Sequence, residues 1–116
     1  MCGIAGIFNL NGEPASSDLL RKMTDAMAHR GPDGEGAYTD AFVGLGHRRL
    51  AIIDLSPKGC QPMATSCGQY VITYNGEIYN FRELRTDLEA LGHLFRSTSD
   101  TEVVLYAYKQ WGAKCL

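Results

Sequence analysis

The sequence predicts an α+β domain of layered antiparallel sheets with helices packed on them, and three observations carry that prediction. Short apolar runs broken by Asp, Asn and Gly follow one another at hairpin rather than crossover spacing. Three stretches place apolar residues at helical intervals between those runs. The 116 residues, 45% hydrophobic and 21% charged, are enough to bury one core.

The first element is a strand over Gly3 to Phe8, an apolar run with small residues interleaved, ended by the turn-forming stretch Asn9 to Pro14. From Ser17, the residues Leu19, Leu20, Met23, Ala26 and Met27 recur at helical spacing until Gly31-Pro32, which predicts an amphipathic helix against a sheet. Ala37 to Thr39, Phe42 to Gly46, Leu50 to Ile53 and Tyr70 to Tyr74 read as further strands, with a loop over Ser56 to Gly68. Asn80 with Glu83 three residues on forms the pattern of a capping box, which opens a second helix with Phe81, Leu84, Leu88 and Leu91 on one face and Gly92 as its stop. Leu94 and Phe95 suggest another strand. Ser99 with Glu102 repeats the capping pattern, and Val103, Val104, Tyr108 and Trp111 form the expected apolar side of a third helix. A layered domain should then return to its sheet, so residues 1–116 read as the N-terminal portion of a domain.

Composition narrows the function. A net charge of −2 with both signs interspersed gives no reason to expect nucleic acid or an anionic membrane surface as partner. No run reaches membrane-spanning length, and Met1 to Leu10 lacks the basic start and apolar stretch of a signal peptide. A cytoplasmic setting follows as the expectation, with Cys2, Cys60, Cys67 and Cys115 as thiols. Their spacing, and the scatter of His29, His47 and His93, predicts no metal site.

The chemistry centres on Cys2. Once Met1 is cleaved, a thiol and a free α-amine belong to one residue, and ordinary groups of these two kinds titrate within about a unit of each other. The amine can then serve as base for its own nucleophile, through a water. Taken alone, a cysteine beside a strand is more often a small core hydrophobe. Asn75-Gly76 has a plain reading too, as a hairpin turn. Arg49 lies in a mostly apolar strand, where a guanidinium needs a partner. Strand alternation sends Arg48 to the opposite face, which suits it to a surface ion pair. Asp100 fits the first turn of a helix whatever it binds. Gly34, Gly36, Gly44 and Gly46 do not form a phosphate loop, because no strand leads through them into a helix at the required spacing.

Five motifs in order change the weight of these residues. Met1 to Ile7 (MCGIAGI), His29 to Asp33 (HRGPD), His47 to Asp54 (HRRLAIID), Tyr74 to Asn80 (YNGEIYN) and Ser99 to Glu102 (SDTE) together resemble class II glutamine amidotransferases. More narrowly, they are similar to the glutaminase domain of glutamine-hydrolysing asparagine synthetases. The resemblance implies an αββα sandwich of the N-terminal nucleophile hydrolase type. It implies that Cys2 attacks the glutamine side-chain amide and that Asn75 and Gly76 form the oxyanion hole. Arg49 would take the α-carboxylate, with Leu50, Ala51, Ile52 and Ile53 extending the glutamine site. Glu77 and Asp100 would face the α-amino group, and His29 to Asp33 would shape the pocket mouth or simply stop the helix.

The implied partners are glutamine and a C-terminal synthetase domain in cis, absent from residues 1–116, that amidates aspartate with ATP and Mg; a homodimer is left open. No cofactor is expected within residues 1–116. Two alternatives stay open: an amidotransferase acting on another carboxylate, and a non-catalytic glutamine-binding or interaction domain.

Overall fold

The computed structural model of the protein describes residues 1–116. It is an α+β structure whose strands pair antiparallel, as the sequence predicts. The chain divides into two compact units, the first made of Met1–Ala51, Cys60–Pro62 and Thr73–Asn75 and the second of Ile52–Gly59, Met63–Ile72 and Gly76–Leu116.

In the first unit a three-stranded sheet has β1 (Gly3–Phe8) and β2 (Gly34–Asp40) flanking β3 (Val43–Arg49). The register pairs Gly3 with Arg48, Ile4 with His47 and Gly6 with Leu45. Opposed residues in such a pair share a face and neighbours along a strand alternate, so the register sorts the side chains into two sets. One face carries Gly3, Gly44, Gly46 and Arg48, the other Ile4, Leu45, His47 and Arg49. Helix α1 (Ser17–Ala26) covers the first face. Its fully buried Leu20 packs over Gly44 and Gly46, and a Cβ on Gly46 would stand 2.5 Å from the Thr24 methyl. Glycine is what lets the helix approach this closely. Ser16 caps α1 by accepting from the Leu19 N–H at 3.2 Å.

Strand β1 begins and ends where the sequence places it, while β2 and β3 extend further than predicted. The strand expected over Leu50 to Ile53 does not form. Its backbone groups are taken by side chains instead: the Leu50 N–H donates to Cys2 Sγ and the Ala51 N–H to Asp33 Oδ2. Ile52, at 71% exposure, and Leu55, at 76%, lie at the surface.

The second unit holds a short hairpin, β4 (Met63–Ala64) with β5 (Val71–Ile72), and two helices, α2 (Phe81–Ala90) and α3 (Asp100–Trp111). Its core is Leu88 from α2 against Val103, Tyr106 and Ala107 from α3, with Phe81, Leu84 and Phe95 packed around them. The expected face of α3 is therefore corrected. Val103 is buried as predicted, but Tyr108 and Trp111 are exposed, and Leu105 and Tyr106 take the interior. The helix is apolar on most sides, so spacing alone does not choose a face.

Leu94 and Phe95 form no strand, because the Phe95 ring packs edge-on against Tyr106 and the Arg85 guanidinium lies 4.6 Å above it. Neither capping box closes. Asn80 makes no cap hydrogen bond, and Ser99 Oγ accepts from the Thr101 N–H while Glu102 turns to Arg96 and Ser97. The stop at Gly92 holds: its φ of 94° lets the His93 N–H reach the Leu88 carbonyl at 3.0 Å.

Candidate active site

The residues singled out from sequence fall in both units. The first unit carries Cys2, Arg49, Leu50, Ala51 and Asn75, and the second carries Ile52, Ile53, Gly76, Glu77 and Asp100.

In the first unit, Cys2 stands one residue before β1. The pairing of Gly3 with Arg48 carries it toward Arg49, on the sheet face that α1 leaves free. The half-buried sulfur is held by Leu50, whose N–H donates to Sγ at 3.3 Å and whose carbonyl accepts from the thiol at 3.6 Å. The His29–Asp33 loop secures both partners. Arg30 Nε donates to the Cys2 carbonyl at 3.2 Å, and the Asp33 N–H donates to the Arg49 carbonyl at 2.9 Å. A Cβ on Gly31 would overlap the Arg48 carbonyl, so only glycine lets the loop lie this close to β3. The loop is thus a brace for the Cys2 end of the sheet as well as a helix stop.

Arg49 is buried, and its Nη1 donates to Cys60 Sγ at 3.5 Å. Arg48 turns the other way, as strand alternation requires. It pairs with Asp25 and, at 2.9 Å, with Glu35, and its Nε donates to the Thr24 carbonyl. The two adjacent arginines therefore have separate jobs, and only Arg49 shares a face with Cys2.

Two residues of this unit were given no individual role from the sequence. His47 is 1% exposed, and neither ring nitrogen has a hydrogen-bond partner. Burial pushes its pKa below 6.5; the Tyr74 backbone, facing the ring without reaching hydrogen-bond geometry, opposes that shift, and the Arg49 charge reinforces it. The position of His47 two residues before Arg49, on the same strand face, was the available signal. Gln61, buried in the loop before β4, accepts from the Tyr74 N–H at 2.6 Å; nothing in its local sequence marks it.

Asn75 follows directly, exposed on an extended segment that starts after β5 and joins no strand. The hairpin alternative for Asn75-Gly76 is excluded, since β5 pairs with β4 before it and no strand follows.

In the second unit, Gly76 and Glu77 are exposed, and Asp100 is buried at the start of α3. Asp100 Oδ2 accepts from the Ile78 N–H at 3.2 Å, fixing the segment that carries Glu77 to the helix. Asp54, also missed as a fixing group, performs the same service for the Ile52–Gly59 stretch. It accepts from the Ser56 N–H at 2.8 Å, the Ser56 hydroxyl at 2.6 Å and the Thr98 N–H at 2.9 Å. The Ser56 hydroxyl and the Thr98 N–H hold its pKa down to about 2.

A family model described as a glutamine amidotransferase domain matches residues 1–116. The chain belongs to the glutamine amidotransferase domain family. Among relatives of this domain, the chain is 45% identical over 114 residues to glutamine-hydrolysing asparagine synthetase 1 of Bacillus subtilis (strain 168), covering 96% of the chain and 18% of the relative. It is 43% identical to synthetase 2 of the same organism, covering 97% of the chain and 15% of the relative. Against glutamine-hydrolysing asparagine synthetase 1 of Arabidopsis thaliana the identity is 37% over 113 residues, covering 97% and 19%. The amidotransferase chain thus spans less than a fifth of each of these relatives. No helix in it is long and apolar enough to cross a membrane.

Proposed function

We propose that residues 1–116 are the N-terminal portion of a glutaminase domain, and that this domain releases ammonia from glutamine through Cys2. The observation that carries the proposal is the convergence on one sheet face of the Cys2 sulfur, held by Leu50, and the buried Arg49. A guanidinium on that face suits an α-carboxylate, which it can hold through two parallel hydrogen bonds. The glutamine side chain then extends along the strand end toward the sulfur.

With Met1 removed, the α-amine of Cys2 takes the thiol proton, and sulfur attacks the side-chain amide carbon. The carbonyl oxygen becomes an oxyanion, to which the Asn75 amide and the Gly76 N–H are assigned as donors. Donors that meet charge present only in the tetrahedral state lower the barrier; losing one costs about 100- to 1000-fold in rate. The C–N bond breaks as the amine returns its proton to the leaving nitrogen, giving ammonia and a glutamyl thioester. Water then hydrolyses the thioester, releasing glutamate and the free thiol. Asp100 and Glu77 are assigned to the substrate's α-ammonium, and Leu50, Ala51, Ile52 and Ile53 to the walls of the glutamine site.

In the whole protein the ammonia passes in cis to a synthetase domain outside residues 1–116, which amidates aspartate in an asparagine synthetase reaction, in the cytoplasm. ATP and Mg belong to that domain.

Intact-mass measurement of the full-length protein, with glutaminase assays of wild type and Cys2→Ala, tests the reading. A mass lacking Met1 and activity abolished in Cys2→Ala are expected. Equal activity in both proteins would remove Cys2 from the mechanism, and a retained Met1 would favour a non-catalytic binding domain.

A further inference from the structure

We infer that Gln61 is a positioning residue for the oxyanion donor Asn75, an inference that rests on the glutaminase reading above. An oxyanion hole works only if its donors are fixed before charge develops, to within tenths of an ångström. Strands and helices supply such fixing through their hydrogen-bond ladders. Asn75 has neither, because β5 ends at Ile72 and residues 73–78 pair with no strand.

Order must therefore come from side chains, and two are in place in the same unit. The Thr73 hydroxyl donates to the Gly46 carbonyl of β3 at 3.3 Å. The Tyr74 N–H, in the residue immediately before Asn75, donates to Gln61 Oε1 at 2.6 Å, a bond made to a buried acceptor. Gln61 is itself anchored. Its main-chain carbonyl lies so close to Gly36 of β2 that a Cβ on Gly36 would overlap it, and the Cδ of Pro62 would stand 3.2 Å from the same Cβ. The path of fixation runs from the sheet through the Gln61 backbone to its amide oxygen, then through the Tyr74 peptide to Asn75. His47 on β3 is buried as well, at 1% exposure.

The amide oxygen of Gln61 touches no reacting atom, so its removal should appear in turnover and not in binding. In full-length, Met1-processed enzyme, Gln61→Met keeps the side-chain length and removes the acceptor. The expected result is a glutaminase kcat about 10- to 100-fold lower, since a displacement of about 1 Å at a catalytic group costs on that order, with KM for glutamine within about threefold of wild type. Gln61→Glu retains an acceptor oxygen and should stay within about threefold of wild-type kcat. Because Gln61 acts through Asn75, the double variant Gln61→Met/Asn75→Ala should be no slower than Asn75→Ala alone. A merely structural role predicts multiplied losses and no rescue by the glutamate variant.

If Gln61→Met does not fold, Gln61→Asn, one methylene too short to reach the Tyr74 N–H, carries the same expectation. Unchanged kcat in the folded variant, or losses that multiply with Asn75→Ala, overturns the inference. If Asn75→Ala itself turns over normally, the failure lies in the oxyanion assignment of the proposed function, and the inference falls with it.

Discussion

Glu102 is a fully buried charge in the second unit, and replacing it with glutamine isolates what the charge contributes. The side chain is 1% exposed. Its Oε1 accepts from the Arg96 N–H at 3.0 Å, while Oε2 accepts from the Ser97 N–H at 2.7 Å, the Ser97 hydroxyl at 2.5 Å and, more weakly, Arg96 N–H at 3.2 Å. Glu102→Gln keeps the volume, so no cavity term enters. If the amide oxygen takes the place of Oε2, both Ser97 bonds survive but lose their charge assistance. Hydrogen bonds to charged groups contribute about 1.5–3 kcal/mol against roughly 0.5–1.5 for neutral ones, so the two together lose about 2 kcal/mol. The new amide N–H₂ faces the Arg96 N–H, a donor against a donor, at a further cost of about 1 kcal/mol. A neutral amide is easier to bury than a carboxylate, which offsets part of this. The net expectation is a loss of about 2–3 kcal/mol, large against a typical total of about 5–15 kcal/mol. Urea unfolding should show a lower midpoint at unchanged slope, and amide exchange should accelerate first at Arg96 and Ser97, whose N–H groups Glu102 holds. A loss below about 0.5 kcal/mol would refute the view that this carboxylate organises the loop entering α3.

Other outcomes follow from the first unit. Gly36→Ala should lower stability by about 2–4 kcal/mol, because its Cβ falls on the Gln61 carbonyl, a backbone atom that cannot rotate away; a thermal melt within 2 °C of wild type, about half the shift expected of 1 kcal/mol, would contradict this. Stability should fall as pH drops below 6.5, since His47 has its pKa lowered by burial and the unfolded chain takes up the proton first. Asp54 adds a second loss as pH falls from 3.8 toward 2, the window in which its carboxylate is protonated in the unfolded chain before the folded one. Urea midpoints at pH 7, 5.5 and 4 should show the first fall in wild type and not in His47→Phe; equal slopes in the two would remove His47 as its source. Arg49→Lys should raise the glutamine KM about 10- to 100-fold, since an ammonium loses the paired geometry. An unchanged KM would reassign the carboxylate to another residue.

What the sequence made legible was whatever depends on neighbours in the chain. The run Gly3 to Phe8 gave β1 its bounds, and the glycine after α2 marked its stop. Alternation along the strand was enough to separate Arg48 from Arg49. Features built from distant groups were hidden. The apparent strand Leu50 to Ile53 dissolves because Cys2 and Asp33, far away in sequence, take its backbone donors. Glu102 had the spacing of a capping box but serves Arg96 and Ser97, just upstream of the helix cap. In the site, Cys2 and Arg49 stood out by residue type and motif, whereas the bond from the Tyr74 N–H to Gln61 and the burial of His47 come from groups distant in sequence.

The central claim, that Cys2 is the nucleophile at a glutamine site, is tested most directly by covalent labelling. Full-length protein treated with a diazoketone analogue of glutamine and mapped by peptide mass spectrometry should carry one adduct, on Cys2 of chains lacking Met1, with glutamine slowing its formation. An adduct confined to Cys60, Cys67 or Cys115, or none at all in a protein that still hydrolyses glutamine, would contradict the account.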